Sequence, residues 1–166
     1  MAVEHDYFGI IDSDSEGGLY WSDNAEVGDQ VVDVSLSVPG GQAVSDDALD
    51  TAAAMIAALE DLDLRAREAM LSQLDSRGSD VARFVEESAD ELGDDLDDLL
   101  VDRSGDLEVD VIRSLRLIRA ALHPHQSGEG QVFLSLEFAL DPDTSDSALL
   151  TQLTVRGETV GIEIIG

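Results

Sequence analysis

The chain has no cysteine and no lysine. The first absence removes disulfides, thiolate nucleophiles, Cys-ligated zinc and iron–sulfur centres, and it leaves the redox compartment open. The second leaves nine arginines as the whole basic complement against 37 acids, for a formal charge of -28. A surface of that charge repels nucleic-acid phosphates and anionic lipid head groups over about 10 Å, so neither nucleic acid nor membrane is an expected partner. No stretch approaches 18 uninterrupted apolar residues, and the opening Met1 to Gly9 has neither a basic region nor an apolar one. The expectation is a soluble, cytoplasmic protein. Asp outnumbers Glu by 24 to 13. With lysine missing, that bias points to a salt-adapted host or a high-GC genome, and either makes much of the charge a property of the host.

What is present is a core. Hydrophobic residues make up 43% of the 166 positions, close to an ordinary globular share, which argues against a disordered acidic tail. A single domain of this length buries roughly 70% of the surface that its unfolded chain exposes.

Three zones follow one another along residues 1–166, which read as one α+β domain. Residues 1–40 read as strands over Tyr7 to Ile11, Leu19 to Trp21 and Val31 to Val38. In the last run Val32, Val34, Leu36 and Val38 share one face, while Asp33, Ser35 and Ser37 share the other. Tyr7, Tyr20 and Trp21 read as core residues of this small sheet. Residues 45–100 change to helical period. Ser45 is an expected N-cap before Asp46 and Asp47, Asp63 an expected cap of a second helix that stops near Gly78, and Ser79 the cap of a third that stops at Gly93. The run from Asp94 to Leu100 fits a short helix with its leucines inward. Residues 107–166 give a helix to about Leu115, then a strand from Arg116 to His123. A further strand spans Gln131 to Leu140, with Phe133, Ser135, Glu137 and Ala139 on its second face. A final pair, Leu149 to Val155 and Thr159 to Ile165, turns at Arg156-Gly157-Glu158. The expected architecture is an antiparallel sheet from the N- and C-terminal strands, with the central helices packed on one face.

Tyr7-Phe8-Gly9, Tyr20-Trp21, the helical middle, the run from Phe138 through Asp141-Pro142-Asp143 to Leu150, and Leu153-Thr154-Val155-Arg156-Gly157 together carry a likeness. They resemble the bacterial family known only as domain of unknown function 2004, in which a strand ending in Asp leads through a short polar link into a Leu-Val strand and a Gly turn. The resemblance covers most of the chain and implies an α+β fold. It brings no catalytic residue with it. By analogy, small acidic proteins of this kind are suspected of interaction or immunity-type roles.

Three local patterns are candidate sites. Asp12, Asp14, Glu16 and Asp23 stand at positions 1, 3, 5 and 12 of a calcium loop, with Gly17 at position 6. Asp23 is shorter than the bidentate Glu such loops use and neither flank is helical, so a plain β-turn rich in Asp, Ser and Gly competes with this reading. His123-Pro124-His125, with His5 far upstream, offers imidazoles for a divalent metal, yet no zinc-type spacing accompanies them, and a polar strand end competes. Arg113, Arg116 and Arg119 hold a third of the bases and, if the segment is helical, their spacing forms a stripe able to meet a partner's carboxylates or a phosphate. Pairing with the protein's own acids competes with that role.

Carboxylate pairs such as Asp94/Asp95 sit on solvent-facing positions, and no nucleophile elbow, dinucleotide turn or phosphate-binding loop occurs. The expected function is therefore non-enzymatic: a protein-interaction domain, immunity-like or regulatory, needing no cofactor. The alternative is a calcium-binding protein built on Asp12 to Asp23. The strand Thr159 to Ile165 is a candidate edge for self-pairing, which leaves the oligomeric state open.

Overall fold

The computed structural model describes residues 3–101, 104–143 and 147–165. A first meander contains β1 (Val3–His5), β2 (Gly9–Ser13), β3 (Leu19–Val27) and β4 (Gln30–Val38). The helices follow: α1 (Asp46–Ala57), α2 (Leu59–Gln73), α3 (Asp80–Leu92), a 3-10 turn at Gly93–Asp95, α4 (Leu96–Leu99) and α5 (Leu107–Ser114). A second meander contains β5 (Arg116–Leu122), β6 (Leu134–Ala139), β7 (Ala148–Leu153) and β8 (Thr159–Ile165). The eight strands of the described residues form one sheet in chain order.

That sheet is mixed, which corrects the expectation of a purely antiparallel one. Every neighbouring pair is antiparallel except β4 and β5, where Asp33 to Leu36 run parallel to Arg119 to Leu122. The helices form the connection between these two strands. A connection that long can return the chain to the end from which β4 started, whereas antiparallel neighbours need only a tight turn.

Capping chemistry sets several helix ends. Ser45 Oγ accepts from Ala48 N at 3.1 Å, and Ser79 Oγ accepts from Ala82 N at 3.2 Å. Gly93, at φ 53°, ends α3 in a conformation that a side chain would resist. The second helix departs from expectation. It starts at Leu59, directly after α1, and Asp63 lies inside it, only 7% exposed. Leu59, Leu62, Ala66 and Met70 are its buried stripe, so its apolar period begins a turn before the supposed cap. It also ends at Gln73, short of Gly78.

The strands differ from expectation in three respects. β3 extends to Val27, because Trp21, Ala25 and Val27 continue along one side of it. Tyr7 and Tyr20 are 52% and 59% exposed, so neither is a core residue, whereas Trp21 is half-buried with its ring edge-on to Phe8 at 4.7 Å. β6 is shorter than the alternation suggests and is dry on both sides, with Ser135 and Ala139 buried as well as Leu134, Leu136 and Phe138, and Phe133 just before it is buried too. Only Glu137 along this strand is partly exposed.

The candidate edge β8 is not bare. α3 lies against it, and the Ile164 N–H donates to Asp80 Oδ2 at 3.2 Å. At the other end of the sheet, His5 of β1 is tied to α1 by a 2.7 Å bond between Nε2 and Asp50 Oδ1. No helix among the described residues is long and apolar enough to cross a membrane.

Candidate functional site

The three arginines singled out in the sequence separate because α5 stops at Ser114 and the chain extends from Arg116. Arg113, in the last turn of α5, and Arg116, at the first position of β5, line one cleft of about 590 Å³ together with Arg67 of α2. Arg119 goes elsewhere. Its Nη1 lies 3.4 Å from Glu137 Oε2, and it borders a polar shelf with Tyr20, Ser22, Asn24 and Ser35.

One wall of the cleft is a clamp. Arg67 Nε donates to Asp63 Oδ1 at 3.0 Å, and its Nη1 donates to the Ile112 carbonyl at 3.0 Å and to that of Arg113 at 3.4 Å. The guanidinium also lies 5.2 Å over the Phe138 ring. One side chain thus closes the C-terminal end of α5, joins it to α2 and covers a core aromatic. Burial pushes the Asp63 carboxyl above its ordinary value, and the neighbouring Arg67 charge opposes that shift. Beside the clamp, Gln30 Oε1 accepts from Leu117 N at 2.6 Å and bridges the first meander to the second. These polar groups are engaged in holding the fold.

The rest of the lining is of another kind. Leu64 on α2 is 55% exposed and Val101, beyond α4, is 80% exposed, with half-buried Leu99 in the same cleft. Through Asp98, Leu99 and Asp141 the cleft continues into a second hollow of about 390 Å³, lined by Glu91, Leu92 and Asp95. The two form a groove in which Leu64, Leu92, Leu99 and Val101 stand among acidic side chains and the three arginines.

Asp12 to Asp23 folds as a β-hairpin. Asp14 Oδ1 accepts from Glu16 N at 2.9 Å and Gly18 N at 2.8 Å, a turn that a short carboxylate makes with its own backbone. A Cβ on Gly18 would lie 2.9 Å from the Val38 carbonyl oxygen, so glycine allows this turn to close against the end of β4. Asp12 is paired with Tyr20, and Asp23 lies three residues further along β3, so the two side chains leave opposite faces of the sheet. Glu16 is exposed at the turn.

The ring centroids of His123 and His125 are 6.3 Å apart, and His125 Nδ1 is buried without a hydrogen-bond partner. Burial holds both imidazoles below their ordinary value, His125 adding its charge at His123. His5 is bonded to Asp50. Among the described residues, no group of three or more His, Asp or Glu side chains is placed to hold a metal ion.

The chain matches no family model, no curated protein and no solved structure. The likeness to domain of unknown function 2004 therefore rests on the residues quoted for it. The groove is not legible in the sequence because its lining comes from α2, the end of α3, the segment around α4, the end of α5 and the ends of four strands. Its trace was Leu64, an apolar residue outside the buried stripe of α2.

Proposed function

We propose that this protein is a non-enzymatic binding domain of regulatory or immunity-like type, working in the cytoplasm on a protein partner with a basic surface. The observation that carries the reading is the exposed stretch from α3 to α4. Glu86, Glu87, Asp90, Glu91, Asp94, Asp95, Asp97 and Asp98 are all exposed, and no basic residue interrupts them. Such a field accelerates encounter with a cationic partner and disfavours acidic competitors. On this reading the helices lie over one side of the sheet. The burial alternation of β4 and the stacking of Arg67 on Phe138 support that arrangement. Asp63, Arg67 and Gln30 at the cleft make structural bonds, which supports a binding role over catalysis.

Affinity capture with the full chain at low and at high salt tests the reading. The expected result is a stoichiometric partner of basic isoelectric point, retained at low salt and released at high salt. Retention of nothing, or only of acidic proteins, overturns it.

A further inference from the structure

We propose that the groove running from Leu92 and Leu99 to Leu64 and Val101 is the docking site for a basic amphipathic segment of the partner protein. The inference rests on the protein-binding reading above and gives it a place and a recognition chemistry.

Single exposed hydrophobic residues are ordinary on a protein surface. Here two of them, Val101 at 80% and Leu64 at 55% exposure, line one cleft, and the half-buried Leu99 carries its floor into the adjoining hollow beside Leu92. Apolar side chains spaced along a hollow in this way suit spaced apolar anchors on one side of a partner segment. The rim then selects the charge of the occupant. Glu91, Asp95 and Asp98 border the second hollow, all three are exposed, and none forms an ion pair among the described residues. Arginine and lysine fit both demands, because their methylene stems cover apolar surface while their charged ends reach the carboxylates. Arg113 and Arg116 line the first cleft, not the second. The second hollow, lined by acids and by no base, is the end that suits the most basic part of the segment.

The wall is built before any partner arrives. Arg67 is bonded to Asp63 and to two carbonyls of α5, which fixes α2 relative to α5 along one side of the cleft. Docking on such a wall needs side-chain adjustment more than backbone movement.

The test uses the full chain and two synthetic probes at low salt. One is a short amphipathic peptide of arginine and leucine with leucines at helical spacing. The other has the same length and charge, with serine in place of every leucine. Fluorescence anisotropy is expected to show the leucine peptide binding about tenfold more tightly, the effect of burying part of one or two apolar side chains. Leu64→Ser with Val101→Ser is expected to abolish that preference and leave binding of the serine peptide unchanged. Circular dichroism serves as the check that this doubly substituted protein is folded. Glu91→Gln, Asp95→Asn and Asp98→Asn together are expected to weaken both peptides. Equal affinity for the two probes overturns the groove while the general reading stands. An unchanged preference in the Leu64/Val101 variant, or unchanged binding in the carboxylate variant, does the same. Failure of both probes to bind overturns the groove and the basic-partner reading together.

Discussion

Thr151 places a hydroxyl inside the core. The residue is 0% exposed on β7, and its Oγ1 has no hydrogen-bond partner. A buried hydroxyl without a partner loses its hydration and gains nothing in exchange, while valine has nearly the same shape. Thr151→Val is therefore expected to raise the unfolding free energy by about 1 kcal/mol, read from urea denaturation. Arg67 is the opposite case, a buried charge whose partners are in place. Arg67→Met would leave Asp63 buried without its counter-charge and two carbonyls without their donor. The expected loss is about 3 kcal/mol by the same measurement. The histidines give a pH signature. His123 and His125 are held below the ordinary value of 6.5, so the folded protein binds their protons less readily than the unfolded chain does. Their contribution is complete above pH 6.5 and is lost as pH falls through their lowered folded values. Relative to the wild type, a variant carrying His123→Gln and His125→Gln is expected to gain stability progressively as pH falls below 6.5. A difference that does not change with pH would contradict this assignment.

At the scale of elements, what the sequence revealed follows from how local the chemistry is. Ser45, Ser79 and Gly93 were legible because a cap involves residues within a single turn. The change from helix to strand at Leu115 was less sharply written, because Ile112, Leu115, Ile118 and Leu122 fit a helix while Leu117, Arg119 and Ala121 fit a strand. Asp63 was illegible as a pairing residue because the same residue type caps a helix or pairs within one, and the choice depended on Arg67, which in turn bonds carbonyls 45 and 46 positions from itself. The parallel β4/β5 pairing was illegible for a related reason, since alternation gives a strand its faces but not its neighbour. β8 bears on the question of self-association. Its Ile164 N–H is taken up by Asp80, whose other oxygen accepts from Arg83 Nη2 at 3.0 Å. A charged side chain on an edge N–H impedes pairing with a second sheet. Asp80→Ala is expected to increase self-association at high salt, where charge repulsion is screened, as measured by sedimentation. An unchanged distribution would show that another part of the surface prevents pairing.

For the whole molecule, the charge of -28 affects folding and binding in opposite ways. Self-repulsion opposes the compact state, and raising salt from about 0.1 M to 1 M shortens its range from about 10 Å to 3 Å. The melting temperature is expected to rise over that interval while affinity for a cationic peptide falls. A melting temperature that stays level would mean that the acids are already separated enough not to oppose folding. Composition alone made this antagonism legible, but not the groove, which appears only when helices and strand ends distant in sequence come together. The sheet also has a history written in its order. Each meander joins strands that are close along the chain, and such hairpins form in about 1–10 μs. The β4/β5 seam is different, because Gln30 and the Leu117 amide it accepts from are 87 positions apart and all the helices lie between them. Closing that interval carries the largest entropic cost in the sheet, so the two meanders are expected to assemble as separate local units before the seam closes. Until it closes, the facing edges of β4 and β5 are open templates for strands of other molecules. A charge of -28 on every copy would oppose such pairing while those edges are open.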